Sequence, residues 1–263
     1  MSDGAKVLSA RGLGKRFGGL QAVRDVSIEL ERGQVHAVLG PNGAGKSTLI
    51  NLLSGDLPVS AGSISLRGSD ITRLRPEQRS QRGIGRSYQR SNVFAPLTVF
   101  ENCRLAAQSR LPQALRLFEV AAKMKVPCAA AERALEAVGL TASKGALAAR
   151  LSHGEQRQLE LAMVLATEPE VLLLDEPLAG MGAEEADRIL ALLQKLRPLH
   201  AVLLVEHDMD AVFALADRIT VMVDGAVLES GPPQQIRQSA AVRHAYLGEG
   251  NDAEDATGAG ERR

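Results

Sequence analysis

The sequence predicts an α/β fold with a parallel core sheet, an antiparallel β subdomain and a helical subdomain inserted between strands. Apolar runs are nearly unbroken at residues 35–39, 171–174 and 202–205, as expected for parallel strands that are covered on both faces. Asp224 and Gly225 separate two β-rich runs and predict a hairpin with a type I′ turn. From about residue 99 to 139 helix-forming residues recur at helical spacing. These three observations determine the predicted fold class.

The order of these signals along the chain indicates one domain over residues 6–250. The predicted strands are residues 6–10, 26–30, 35–39, 63–67, 171–174, 202–205, 219–223 and 226–230. The early runs suggest an antiparallel piece before the glycine-rich loop. The helical subdomain is expected over about 93–166, with helices at 113–125 and 129–138. Residues 251–263 have almost no apolar side chains and are expected to form a disordered tail.

A glycine-rich loop follows the first parallel strand and matches the pattern GxxxxGK[ST]. Its glycines let successive backbone N–H groups turn toward phosphate oxygens, and the helix that follows offers its positive end to the same anion. Lys46 can reach the β and γ phosphates, and the Ser47 hydroxyl can ligate Mg²⁺. The residues expected to hold the triphosphate are Gly40, Pro41, Asn42, Gly43, Ala44, Gly45, Lys46, Ser47 and Thr48. The alternative is a glycine turn that matches by chance, against which both flanks argue.

Composition narrows the class of partner. Lys plus Arg and Asp plus Glu both total 31 in 263 residues, so the net charge is zero and bulk attraction to nucleic acid is not expected. The arginines between residues 74 and 90 are predicted to form a solvated, partly ion-paired surface; they are Arg75, Arg79, Arg82, Arg86 and Arg90. Two cysteines, Cys103 and Cys128, lack metal-ligand spacing and are expected to be reduced and partly buried. With neither a signal peptide nor a membrane-spanning run in view, a soluble intracellular protein is expected.

Two adjacent acids end the apolar strand that begins at Val171. Ligands gather at the carboxyl ends of parallel strands, so Asp175 and Glu176 should face the bound phosphates. Asp175 would hold Mg²⁺, directly or through water, and Glu176 could orient or deprotonate an attacking water. The alternative is a polar strand end that leads into a turn at Pro177.

A capping box precedes that strand. Ser152 should cap a helix from about residue 156 to 166, with Glu155 reaching back to the cap. A serine and a glycine at a helix N-terminus also form an anion site. The segment is Leu151, Ser152, His153, Gly154 and Glu155, and it resembles the LSGGQ signature of the ABC-transporter ATPases.

The resemblance to this family covers about residues 6–248. Gln89 matches the glutamine that links the metal site to the transmembrane partner. His207 matches the switch histidine that contacts the γ-phosphate. Phe17 matches the aromatic residue that stacks on adenine. Each match alone could be a surface or packing residue. Their order and spacing beside the stronger motifs make them specific, and no guanine-reading motif is present, so ATP is favoured over GTP.

Two departures from the family pattern stand out. His153 and Glu155 replace the usual glycine and glutamine of the signature, and Gly182 occupies the position of an aspartate that makes a contact across the dimer. The departures, together with the closing run at residues 245–249, resemble the ATP-binding subunit of branched-chain amino-acid importers. Related amide or urea importers and the lipopolysaccharide-export ATPase look similar.

The resemblance implies a mechanism and a set of partners. Two ATPase chains, identical or sister, bind head to tail and sandwich two ATP molecules, so that Ser152 and Gly154 act on the partner's nucleotide. Closure and opening move two permease subunits through a groove near Gln89 and residues 92–102. A periplasmic substrate-binding protein takes part indirectly, and the chain is expected in the cytoplasm, on the inner face of the plasma membrane. The alternatives are lipopolysaccharide export, a soluble ABC ATPase acting on nucleic acid or ribosomes, and a small-molecule kinase.

Overall fold

The computed structural model describes residues 6–88, 92–111 and 125–251. The strands are β1 Lys6–Phe17, β2 Leu20–Glu31, β3 Val35–Leu39, β4 Ala61–Leu66, β5 Ser69–Asp70, β6 Ile84–Arg86, β7 Val171–Asp175, β8 Ala201–Val205, β9 Arg218–Val223 and β10 Ala226–Gly231. The α-helices are α1 Lys46–Ser54, α2 Pro76–Gln81, α3 Val99–Gln108, α4 Lys125–Val138, α5 His153–Ala166, α6 Ala183–Leu196, α7 Met209–Leu215, α8 Pro233–Gln238 and α9 Ala240–Asn251.

The core sheet has the strand order β10-β9-β3-β8-β7-β6 within the described residues. Its β6, β7, β8, β3 and β9 strands are parallel, and β10 is antiparallel to β9. Every residue of β3, β7 and β8 is buried, because helices or the second sheet cover both faces of these strands. The predicted parallel core is therefore confirmed. The three-residue β6 was not predicted, since its glycine-flanked run is too short to show a periodicity.

The second sheet is antiparallel and has the strand order β2-β1-β4-β5. The predicted antiparallel β subdomain is confirmed, although β4 and β5 come after the glycine-rich loop in sequence and not before it. Strands β1 and β2 each extend over 12 residues, well beyond the predicted runs. Several register shifts interrupt their pairing, so the alternation by which a long strand is recognised is broken.

The hairpin between β9 and β10 has the predicted turn. Asp224 has a φ of 48° and Gly225 a φ of 79°, the left-handed pair that a type I′ turn requires. The Gly225 N–H donates to the Ala44 carbonyl at 3.1 Å, and the Gly225 carbonyl accepts from the Arg24 N–H at 2.7 Å. The turn thereby ties the glycine-rich loop to the antiparallel sheet.

Between β6 and β7 in sequence, the described residues form three α-helices, α3, α4 and α5. They share one buried apolar cluster with β3, β7 and β8. The predicted helix at 129–138 is confirmed within α4, whose first described residue is Lys125. The rest of the predicted 113–125 helix lies outside the described residues. The division at about 93–166 into a subdomain stays a prediction.

The C-terminal part of the chain is helical up to Asn251. Residues 252–263, the remainder of the predicted tail, lie outside the described residues. Cys103 is buried and Cys128 half-buried, as expected. None of the helices in the described part of the chain has the length and apolar character needed to cross a bilayer.

The prediction that the arginines between residues 74 and 90 form a solvated surface is wrong for two of them. Arg79 is 1% exposed, and its guanidinium donates to the carbonyls of Leu52 and Leu53 at 2.7 and 2.8 Å. It therefore satisfies the C-terminal carbonyls of α1, which a helix end leaves without partners. Arg86 is also withdrawn from solvent, with a side chain 9% exposed. Arg75 and Arg82 are exposed as predicted, and Arg90 lies outside the described residues.

Candidate functional site

The glycine-rich loop runs from β3 into α1, and two of its glycines are required by space as well as by backbone angle. At Gly40 (φ 150°) a Cβ would lie 2.1 Å from the Met222 carbonyl oxygen. At Gly45 (φ 96°) a Cβ would lie 2.4 Å from the Ala22 carbonyl oxygen. No side chain caps α1, whose N-cap is Gly45. The loop is thus packed between β2 and the β9–β10 hairpin, and the positive end of α1 is left for an anion.

Lys46 is the first residue of α1 and is 7% exposed. Its Nζ donates to the Gly40 carbonyl and, at 2.9 Å, to the Pro41 carbonyl. The ammonium group therefore lies over the glycine-rich loop, which is where a lysine that binds phosphate in this loop has to be. Ser47 is exposed and Thr48 half-buried beside it. Pro41 is half-buried, Asn42 and Gly43 are exposed, and Ala44 is buried.

The two acids at the end of β7 have different environments. Asp175 is 4% exposed, its Oδ2 lies 3.6 Å from Arg86 Nη2, and its Oδ1 is buried without a hydrogen-bond partner. Burial raises the pKa of Asp175, and the Arg86 charge opposes that rise. Glu176 is half-buried and has a left-handed backbone, with a φ of 48°. Its N–H donates to the Val205 carbonyl at 2.9 Å, which ties it to the end of β8.

His207 follows β8 and reaches the same acids. Its Nδ1 lies 3.9 Å from Glu176 Oε1 and 3.8 Å from Glu206 Oε2, and its side chain is 65% exposed. Strand β8 lies between β3 and β7. The carboxyl ends of three neighbouring parallel strands therefore bring together the glycine-rich loop, the acid pair and His207.

Glu206 was missed at the sequence level. Its side chain is fully buried, its Oε1 accepts from the Leu178 N–H at 2.9 Å, and its Oε2 accepts from the His207 N–H at 3.2 Å. Burial is the main cause of its raised pKa. A signal was available, since Glu206 directly follows the apolar strand β8, much as Asp175 ends β7. The carboxylate joins the segment after Glu176 to the segment that carries His207.

The signature segment forms the predicted capping box at the start of α5. Ser152 Oγ accepts from the Glu155 N–H at 3.2 Å, and Glu155 Oε2 accepts from the Ser152 N–H at 2.9 Å. The helix begins at His153, three residues earlier than predicted, because the capped turn is itself helical. Leu151 and Gly154 are buried, and a Cβ on Gly154 would lie 2.2 Å from Glu185 Oε1. His153 is exposed.

A cavity of about 150 Å³ opens at the capped end of α5. It is lined by residues of α5, α6 and the segment before α6, namely Ser152, Gly154, Glu155, Gln158, Met181, Glu185, Arg188 and Ile189. None of them belongs to the glycine-rich loop. Gly182, the departure at the aspartate position, is the exposed N-cap of α6.

Phe17 and Gln89 complete the predicted set. Phe17 ends β1, is 46% exposed and pairs with Leu20 across the hairpin. The Lys15 Nζ lies 5.1 Å from its ring centroid. Because Ala22 of the same hairpin contacts Gly45, this end of the antiparallel sheet borders the glycine-rich loop. Gln89 lies outside the described residues.

The oxygen donors at this edge of the sheet suit Mg²⁺. The Ser47 hydroxyl and the Asp175 carboxylate are hard ligands, and the buried Asp175 Oδ1 lacks a partner. Within the described residues no cluster of three or more His, Cys, Asp or Glu could hold a metal ion by itself. Mg²⁺ is commonly bound by one or two carboxylates together with substrate phosphates.

A separate cavity of about 220 Å³ lies among α2, β6 and α5. Its lining is mainly apolar and includes Pro76, Ile84, Tyr88, Met163 and Val164. Tyr88 and Asn92, on either side of residues 89–91, both border it.

Comparison with known proteins identifies the family that this chain matches. The family model described as ABC transporter matches residues 23–179, more than half of the chain. The high-affinity branched-chain amino acid transport ATP-binding protein LivG of Salmonella typhimurium is 39% identical over 250 residues, covering 92% of this chain and 98% of that protein. The corresponding protein BraF of Pseudomonas aeruginosa is 40% identical, with the same coverage.

A solved structure shows the same fold. The ADP conformation of MJ1267, an ATP-binding cassette of an ABC transporter, superposes with a TM-score of 0.82 at 28% identity. The match covers 92% of this chain and 99% of that one.

Proposed function

The chain belongs to the ABC transporter family, and from this premise we propose that it is the ATP-hydrolysing subunit of an importer for branched-chain amino acids or related amides. The observation that carries the proposal is the meeting of the glycine-rich loop, Asp175, Glu176 and His207 at one edge of the core sheet. The substrate class rests on LivG and BraF, which are named for branched-chain amino acid transport and align over almost their whole length.

In the proposed site the phosphates of ATP lie in the glycine-rich loop against the uncapped end of α1. Lys46 exchanges its carbonyl partners for the β and γ phosphate oxygens, and Phe17 stacks on the adenine. Ser47, Asp175 and Gln89 would hold Mg²⁺, which when bound would neutralise charge on the phosphates. Glu176 takes a proton from the attacking water, and His207 contacts the γ-phosphate. Support comes from the proximity of His207 Nδ1 to Glu176 Oε1, at 3.9 Å, and from the partnerless Asp175 Oδ1.

The signature acts on a second molecule in this proposal. Two ATPase chains pair head to tail, so that Ser152 and Gly154 of one chain contact the nucleotide held by Lys46 of the other. What supports this is that the cavity at the start of α5 is lined by none of the chain's own glycine-rich loop residues. ATP then joins the two chains, and hydrolysis releases them.

The transmembrane partners are proposed to be two permease subunits, served by a periplasmic substrate-binding protein. Their docking site is the apolar cavity that Tyr88 and Asn92 border on either side of Gln89. Through it, closure of the ATPase pair would move the permeases. The chain would then sit on the cytoplasmic face of the plasma membrane, held by the permeases.

Reconstitution tests the proposal. The chain is reconstituted in proteoliposomes with the two permeases and with any second ATPase that a neighbouring gene encodes. The substrate-binding protein is added outside the vesicles. We expect ATP-dependent uptake of radiolabelled leucine, and none when the chain carries Glu176→Gln. ATP hydrolysis that responds to lipopolysaccharide and not to the loaded binding protein would replace import with export. Co-sedimentation with ribosomes or DNA, without any permease, would overturn the transport function.

A further inference from the structure

Arg86 is the last residue of β6, and its guanidinium lies between two carboxylates. Nη1 donates to Asp56 Oδ2 at 2.5 Å and to Ser54 Oγ at 2.7 Å, both at the end of α1. Nη2 lies 3.6 Å from Asp175 Oδ2. The guanidinium carbon also lies 4.7 Å from the centroid of the Tyr88 ring. The side chain therefore connects α1, the acid of β7 and the segment that leads to residue 89.

The two carboxylates hold Arg86 unequally. Asp56 makes a short, charge-assisted hydrogen bond, and the Ser54 hydroxyl supports it. The contact with Asp175 is longer than a hydrogen bond and is an ion pair only. The side chain of Asp56 is 29% exposed, whereas those of Arg86 and Asp175 are 9% and 5% exposed. The weaker contact is thus the more deeply buried one, where charges are least screened.

We propose that Arg86 is a positioning residue that competes with the divalent cation for Asp175, while Asp56 and Ser54 draw its guanidinium away from that acid. The inference rests on the metal-binding role proposed above for Asp175. Within the described residues Arg86 is the cation that forms an ion pair with Asp175. A divalent ion at Asp175 must act against that positive charge, and the strength of the opposition depends on how firmly Asp56 holds the guanidinium.

The proposal predicts that two substitutions in the same network change the affinity for the divalent cation in opposite directions. Arg86→Gln removes the competing charge, so the cation should bind about tenfold more tightly. Asp56→Asn removes the anchor and lets the guanidinium approach Asp175, so the cation should bind several-fold more weakly. A merely structural role for Arg86 predicts the same sign for both variants, because either one loosens the same contacts.

The experiment measures Mn²⁺ affinity by electron paramagnetic resonance on the full chain with saturating ADP, and thermal unfolding in EDTA. Mn²⁺ stands in for Mg²⁺ because both take oxygen ligands. The matched control is Arg67→Gln, which breaks an arginine–glutamate pair of 2.8 Å whose arginine side chain is 57% exposed. We expect Arg67→Gln to leave the Mn²⁺ affinity unchanged. Arg86→Gln should lower the Tm in EDTA and regain more of it with Mn²⁺ and ADP than the wild type gains.

Weaker or unchanged Mn²⁺ binding by Arg86→Gln would overturn the inference. If that variant fails to fold, Asp56→Asn decides alone: weaker binding supports the competition, and unchanged or tighter binding refutes it. A wild-type chain that binds neither ADP nor Mn²⁺ would instead refute the proposed function itself, so the two failures are distinguishable.

Discussion

The helices α1 and α5 both begin at a predicted anion site, yet their N-termini are built in opposite ways. Helix α1 starts after Gly45 and has no side-chain cap. Helix α5 starts after Ser152, and Ser152 and Glu155 satisfy each other's backbone N–H groups. An uncapped helix end leaves donors that a ligand can take, whereas a capping box uses them within the chain.

The difference indicates which helix depends on nucleotide. The C-terminal end of α1 is secured by Arg79, whereas its N-terminal end, where we propose that phosphate binds, has no side-chain cap. We expect nucleotide to stabilise the α1 end directly. The end of α5 is stable without a ligand and should respond only when a second chain brings ATP to it.

The largest effect is expected from Glu176→Gln, which tests whether the two helix ends form one composite site. Loss of the general base should slow hydrolysis about 100-fold or more, while ATP binding is retained. ATP should then hold two chains together, with α1 and α5 of different molecules on one nucleotide. Phosphate release and light scattering measure both effects. The control is Glu170→Gln, an exposed carboxylate paired with Arg67. Hydrolysis at the wild-type rate in Glu176→Gln would remove this residue as the base.

Lys46→Ala should affect the α1 end alone. The ammonium group has charge-assisted bonds to offer phosphate, so its loss should weaken ATP binding about 10- to 100-fold. Isothermal titration of the isolated chain measures the change, and the exposed Lys144→Ala serves as the control. An unaltered dissociation constant would refute the assignment of the phosphate loop.

Ser152→Ala should affect the α5 end alone. Removing the cap should lower the free energy of unfolding by about 1 kcal/mol, measured in urea. Thr98→Ala is the matched variant, because Thr98 Oγ1 caps α3 in the same way by accepting from the Glu101 N–H at 3.1 Å. Both should lose similar stability, and only Ser152→Ala should also slow hydrolysis. Weaker ATP binding by the isolated Ser152→Ala chain would contradict the division between the two helices.

The smallest effect is expected from Ser47→Ala without nucleotide. Ser47 is exposed in the first turn of a helix that no side chain caps, so the free energy of unfolding should change by less than about 0.5 kcal/mol. Urea unfolding of Ser47→Ala and Ser152→Ala, both without nucleotide, compares the two helix N-termini directly. A loss as large as that of Ser152→Ala would mean that Ser47 caps α1 and that the two ends are alike.

Local patterns were predictable from the sequence, and contacts distant in sequence were not. The buried strands, the type I′ turn and the Ser152–Glu155 box each depend on residues within a few positions, and the structure confirms them. Arg79 and Arg86 were assigned to a solvated surface because nothing near them in sequence shows that α1 ends beside both. The α1 carbonyls that accept from Arg79 and the carboxylates that pair with Arg86 lie 26 or more residues away.

The candidate site divides along the same line. The glycine-rich loop, Asp175, Glu176 and His207 come together at one sheet edge because the rule for parallel strands is topological and needs no side-chain detail. The roles assigned to Phe17, Gln89, His207 and the signature remain predictions. The position of Glu206 after an apolar strand was visible in the sequence, but its hydrogen bond to the Leu178 N–H, 28 positions away, could not be inferred from the 202–207 segment.

The left-handed backbone at Glu176 has a consequence for directed evolution of this protein toward thermostability. Such a φ costs an ordinary residue about 1 kcal/mol or more and costs glycine almost nothing. Screening for survival at high temperature alone would therefore favour glycine at position 176, which would stabilise the chain and remove the proposed general base. Any thermostabilised library should be sorted for turnover as well as for melting.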